Sequence, residues 1–252
     1  MNDSSPTLPT RGAASPNYVV ITPENWVNNA LPFFEAVVVR PMATPRSSGA
    51  RLGQYLLDFE PAGRTTRPVG AGFENFLYQL DGETLVETAE RSDTLVPHDF
   101  CYLPEGVEFS LKTTGAAART LWTKRRYEAV EGVDLPHAIY GRLADVPDIV
   151  PPAPGDYVYR ELIPTGHPEY DMAMNVLTCQ PGGSIGLVEI HHQEHGLLML
   201  EGQGVYYLAG DCHEVRQDDF IYMAPYCPQS FWATGRGPAS YLLYKDVNRD
   251  GF

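Results

Sequence analysis

The sequence has no cysteine pair at C-x-x-C spacing. Its four cysteines, Cys101, Cys179, Cys212 and Cys227, lie far apart. Neither a disulfide framework nor a cysteine zinc site is expected, and the thiols read as reduced core or pocket residues. No apolar run approaches the roughly 20 residues that a membrane span needs. Basic residues are scarce: 18 Lys and Arg stand against 32 Asp and Glu, a net charge of −14. Nucleic acids and anionic membranes both demand basic surface, so neither is an expected partner. The start of the chain lacks the basic-then-apolar pattern of a signal peptide. Residues 1–16, rich in Ser, Thr and Pro, read as a disordered tail on a cytoplasmic protein. Long helical periodicities are also few.

What is present is β-like. The 252 residues are 43% hydrophobic and 20% charged, with 22 Pro and 23 Gly. Short runs rich in β-branched and aromatic residues, such as Gly204–Leu208 and Phe220–Met223, are separated by Gly, Pro or Asp turns. That pattern predicts an all-β chain. Residues 17 to 45 read as an entry segment, and the first regular block starts near Gly53.

The chain also repeats itself. Shifted by 120 residues, Leu57 falls on Leu177, Pro61-Ala62-Gly63 on Pro181-Gly182-Gly183, and Leu80-Asp81-Gly82 on Leu200-Glu201-Gly202. Asp99-Phe100-Cys101-Tyr102 falls on Asp219-Phe220-Ile221-Tyr222. After a one-residue insertion near Ala224, Leu121-Trp122-Thr123-Lys124 falls on Leu242-Leu243-Tyr244-Lys245 at an offset of 121. So many matches at constant spacing imply a duplicated unit. Two tandem jelly-roll β-barrels are expected, at 17–126 and 159–252. A linker over 127–158 joins them, its Pro151-Pro152-Ala153-Pro154-Gly155 stretch favouring extended polyproline II.

The chemistry concentrates in Glu189-Ile190-His191-His192-Gln193-Glu194-His195. On a strand, even spacings share a face, so Glu189, His191 and His195 are expected to converge inside a barrel. One carboxylate and two neutral imidazoles suit a divalent ion: manganese, iron, nickel or zinc. His192 and Glu194, at odd offsets, are expected to point away. His98, His137, His167 and His213 have no comparable spacing. The repeat sets Val69, Ala71 and Asn75 opposite the three candidate ligands, and Glu108 opposite Gln229. The first barrel is therefore expected to be metal-free. Lys124, flanked by Arg125 and Arg126, reads as part of a solvated face.

Gly183, five residues, Glu189-x-His191-x-x-x-His195, six residues, Gly202 resembles the first motif of the cupin superfamily, with Glu and His exchanged in order. Gln229, following Met223-Ala224-Pro225, occupies the place of the second motif's His. Together with His195-Gly196-Leu197-Leu198, Glu201–Tyr206 and Tyr241–Arg249, this looks like the ureidoglycine aminohydrolases, bicupin enzymes of purine (allantoin) degradation. The resemblance covers nearly the whole chain beyond the tail.

It implies a Mn2+ ion, other divalent metals being possible, held by Glu189, His191, His195 and Gln229. It implies substrate contacts from Tyr206, Tyr241 and Lys245, with Glu189 and Lys245 in catalytic roles. The implied reaction hydrolyses (S)-ureidoglycine to (S)-ureidoglycolate and ammonia. The implied partners are that small ureido-acid substrate and further copies of the chain, in a homo-oligomer. Tyr241 and Lys245, at i and i+4, share a strand face, which agrees with a common pocket. Asp171, Met174 and Asn175, before the metal motif, are further candidates for its lining. Two other readings stay open: a cupin-type oxygenase, since two His and a carboxylate also describe a non-haem iron site, and a non-catalytic bicupin that binds a small acid.

Overall fold

The structure, a computed structural model, describes residues 10–46, 49–152 and 155–249. The first nine residues of the expected tail, and Ala153 and Pro154 of the Pro-rich stretch, lie outside the described residues.

The chain begins with β1 (Ala13–Ala14) and β2 (Tyr18–Ile21). The first barrel comprises β3 (Phe34–Ala43), β4 (Gly53–Thr65), β5 (Glu74–Asp81), β6 (Thr84–Glu87), β7 (Ser92–Leu95), β8 (Asp99–Leu103), β9 (Ser110–Thr113) and β10 (Ala118–Arg125). β11 (Ile139–Arg142) lies between the barrels. The second barrel follows as β12 (Tyr157–Glu161), β13 (Met172–Cys179), β14 (His195–Glu201), β15 (Gln203–Leu208), β16 (Asp211–Arg216), β17 (Phe220–Met223), β18 (Gln229–Ala233) and β19 (Ala239–Asp246). The chain is an all-β bicupin of two jelly rolls.

The two barrels exchange strands. β2 crosses to the second barrel and pairs with β17, Ile21 opposite Phe220. β11 turns back to the first barrel and pairs with β8, Gly141 opposite Phe100. Both residues of each pairing are shifted by 120, so the duplication reaches into segments with no sequence similarity. A short 3₁₀ turn follows each exchanged strand, at Pro23–Asn25 and Leu143–Asp145. The segment read as a linker thus supplies β11, and the end of the expected tail supplies β1, which pairs with β2. The reason is edge protection: β8 and β17 each present unpaired backbone groups until the exchanged strand covers them.

Period-2 alternation decides which residues each barrel keeps inside. On β19, Tyr241, Leu243 and Lys245 face the lumen. Leu242 and Tyr244 face the other barrel. The same alternation on β13 sends Asn175 and Leu177 inward and Met172, Met174 and Val176 outward. The outward sets meet Leu56, Phe76, Tyr78, Phe100, Tyr102 and Leu121 in one core between the barrels. Each lumen has a separate core of its own. Close approach is needed here: a Cβ at Gly196 would stand 1.9 Å from Gln54 Oε1.

Charge is buried in this interface too. Arg125 on β10, 1% exposed, donates to the Asp171 carbonyl at 3.0 Å and to the Tyr244 hydroxyl at 3.2 Å. Its guanidinium lies 3.4 Å from Glu74 and 3.3 Å from Asp171, both fully buried. Burial and the neighbouring Asp171 push the Glu74 carboxyl well above the usual carboxylate range. Glu74 Oε1 and Asp171 Oδ1 have no hydrogen-bond donor among the described residues. Tyr102 donates its hydroxyl to Glu74 at 2.7 Å. At the repeat-related position Tyr222 donates to Glu194 at 3.1 Å.

Candidate metal and substrate site

The site lies at the mouth of the second barrel, where four backbone segments meet. Glu189 forms an isolated bridge with Gln229: its N–H donates to the Gln229 carbonyl at 2.8 Å, and the return bond is 3.0 Å. Directly opposed residues of such a pair project to the same face. His191 sits in the loop that follows, pinned by the Tyr226 N–H on its carbonyl at 2.7 Å. His195 opens β14 and lies opposite Lys245 on β19.

The three candidate ligands are therefore not on one strand. The expected parity fails because the chain turns between His191 and His195. Convergence comes instead from β14, β18 and the loop closing together. Glu194 does turn away from His195, as its odd offset implies, but into the inter-barrel core. It is buried there, accepting from the Arg51 N–H at 3.0 and 3.1 Å.

The imidazoles meet edge to face, with His195 Nε2 3.1 Å from His191 Nε2. The Gln229 side-chain amide stands 3.2 Å from the same His191 atom. His195 Nδ1 faces the Tyr244 carbonyl at 3.2 Å. That acceptor fixes the proton on Nδ1 and leaves Nε2 a bare lone pair. Burial, with the facing His191 and Lys245, pulls the His195 pKa down to about 3. Burial lowers His191 as well. Both rings are neutral near pH 7, and an amide oxygen can occupy the nearby Gln229 position after a flip.

This donor set fits a divalent ion. Ligands with metal–nitrogen bonds of about 2.1 Å stand about 3 Å apart around the ion, as these ring nitrogens do. Among the described residues, no three His, Cys, Asp or Glu side chains gather closely enough to hold a metal by themselves. The tight group is two imidazoles and an amide, with the Glu189 carboxylate on the same cavity wall. Burial raises the Glu189 pKa, opposed by the charge of Lys245.

The cavity measures about 300 Å³ and takes in all the candidates: Glu189, His191, His195, Gln229, Tyr206, Tyr241 and Lys245. Tyr206 and Tyr241 are fully buried neighbours, ring centroids 6.2 Å apart. Burial raises both phenols, helped by the Glu189 charge at Tyr206 and by the neighbouring Tyr206 at Tyr241, so each keeps its proton near pH 7 and has a hydroxyl that can donate. Of the three further candidates only Asn175 lines this cavity. Asp171 and Met174 face the first barrel.

Sequence reasoning missed Tyr157, Tyr159 and Glu161, which complete one wall. Their signal was available: they alternate along β12 (YVYRE) and so share a face. Lys124 also differs from expectation. It is half-buried in the first barrel, its ammonium over Tyr55, Phe73 and Trp122 at 5.2, 4.8 and 4.4 Å. Its aliphatic stem packs against rings that the sequence does not place beside it.

Comparison with known proteins agrees with the fold. A family model described as a cupin domain matches residues 175–244. The chain is 33% identical over 243 residues to a probable (S)-ureidoglycine aminohydrolase of rice, covering 96% of this chain and 76% of that one. It is 32% identical to the (S)-ureidoglycine aminohydrolase of Escherichia coli, over 93% of this chain and 90% of that one. A crystal structure of a glyoxylate-induced protein from Pseudomonas aeruginosa superposes with a TM-score of 0.88 at 31% identity, covering 96% of this chain and 92% of that one.

Proposed function

This chain belongs to the family of (S)-ureidoglycine aminohydrolases, and we propose that it hydrolyses (S)-ureidoglycine to (S)-ureidoglycolate with release of ammonia. One observation carries the reading at the level of chemistry. Two neutral imidazoles and an amide converge in a small polar cavity that also holds an ammonium and two protonated phenols.

We assign Mn2+ to His191, His195 and Gln229, with Glu189 as the fourth ligand. The donor types and the 3.1 Å nitrogen separation support this. Bound there, the ion supplies Lewis acidity toward the substrate or a water. Lys245 gives a point charge for the substrate carboxylate. Tyr206 and Tyr241 orient the ureido group by donating hydrogen bonds. Glu189 is the carboxylate beside the reacting centre, and we assign it the proton removed from the attacking water. The water oxygen bonds to the carbon, the C–N bond breaks, and that proton leaves on ammonia.

A homo-oligomer is part of the proposal. Val188, Ile190 and Tyr226 are exposed next to the site, and exposed apolar surface of this kind favours association. A reducing cytoplasm suits the four free cysteines, and no helix among the described residues is long and apolar enough to cross a membrane.

The test is ammonia release from freshly generated (S)-ureidoglycine with added manganese. His195→Ala should lose metal and turnover together. Lys245→Met should keep its metal and raise KM. Full turnover by a metal-stripped Glu189→Ala, His195→Ala double variant would sink the assignment. Oxygen uptake in place of ammonia release would favour the oxygenase reading.

A further inference from the structure

The first barrel has a cavity of its own, about 360 Å³, at the mouth that corresponds to the site in the second. That volume lies within the roughly 300–1,000 Å³ usual for small-ligand pockets. Where the second barrel has Glu189, His191 and His195, this one has Val69, Ala71 and Asn75. Asn75 does structural work: its amide oxygen accepts the Trp122 indole N–H at 3.0 Å. Trp122 and Phe73 then form apolar walls. One charged residue of the second site does persist. Lys124 lines this cavity at the position that corresponds to Lys245.

Lys124 has no hydrogen bond or ion pair among the described residues; its ammonium has only ring faces near it. Ring faces offset part of a cation's lost hydration but do not neutralise it. Burial lowers its pKa, the sign of a charge short of counter-charge. The other charges at this cavity are Arg67 and Glu108, both exposed at the rim. The lining therefore carries a net positive charge of one, in a chain whose total is −14.

We propose that the first barrel binds a small organic monocarboxylate with a flat apolar body, its carboxylate on Lys124 and its body against Trp122 and Phe73. A retained cation, aromatic walls in place of metal ligands and a surplus of one positive charge together select that chemistry. A neutral molecule of the same shape lacks the ion pair. A cation meets Lys124 at the end of its path.

Calorimetric titration of the full, metal-loaded chain with benzoate tests this, with benzyl alcohol and benzylamine as neutral and cationic matches. Benzoate should bind about tenfold or more tightly than either. The binding should survive Lys245→Met, which disables only the second barrel's cation. It should weaken about tenfold or more in Lys124→Met, which keeps the apolar stem on the rings. Absence of benzoate binding to the unaltered chain, equal binding of benzyl alcohol, or equal affinity in Lys124→Met would each overturn the proposal. The comparison of the three probes needs no variant, so misfolding of Lys124→Met leaves the test intact.

Discussion

Replacing Arg125 by Met is the sharpest test of what holds the two barrels together. The guanidinium is 1% exposed and serves Glu74, Asp171, the Tyr244 hydroxyl, Glu128 and the Arg126 carbonyl. Met fills much of the same volume but takes the nearer cation from Asp171 and Glu74, leaving Asp171 only the more distant Arg249, 3.9 Å away. Breaking a buried pair by removing one partner costs about 3–5 kcal/mol. The barrels share a continuous core, so they should unfold together. For a chain of this size each kcal/mol moves Tm by about 2–4 °C, which gives a fall of about 6–20 °C in a calorimetric scan. Glu74→Gln and Asp171→Asn added to Arg125→Met remove the uncompensated charge and should restore most of the loss. A fall of less than about 3 °C, or no recovery in the triple variant, would refute the argument that this cluster is charge-balanced and buried.

Two other outcomes follow. Glu74 holds its proton in the folded state well above the range where the unfolded chain releases it, from a reference value of 4.5. Its contribution is fully present below that value and is lost as pH rises toward the folded pKa. Glu74→Gln cannot ionise and should flatten the decline in unfolding free energy on the alkaline side, read by urea melts across pH. Gly196→Ala places a methyl 1.9 Å from Gln54 Oε1 and 3.1 Å from Leu52. Overpacking there should cost about 1–3 kcal/mol, measured by the same melts. Unchanged stability would mean that the Gln54 side chain yields and that the close approach at Gly196 is not required.

The sequence by itself determined the fold class, the duplication and the list of chemical residues. These are properties of local pattern: alternation of apolar residues, turn residues at fixed spacing, and Glu, His, Gln, Tyr and Lys at recognisable places. It carried the site as a set of names. How those names meet was decided by tertiary structure. Glu189, His191 and His195 converge from a bridge, a loop and a strand end, because the turn after His191 breaks the period-2 rule that would have joined them. The odd offset of Glu194 said only that it points away from the candidate ligands, and nothing in the sequence singled out Glu74. Both are buried because the outer faces of the two barrels become each other's core, and no local pattern announces a surface that only a second barrel will cover. The exchanged strands β2 and β11 show the same limit. Their sequences share nothing, yet they pair alike, because what places them is the exposed edge of a distant strand.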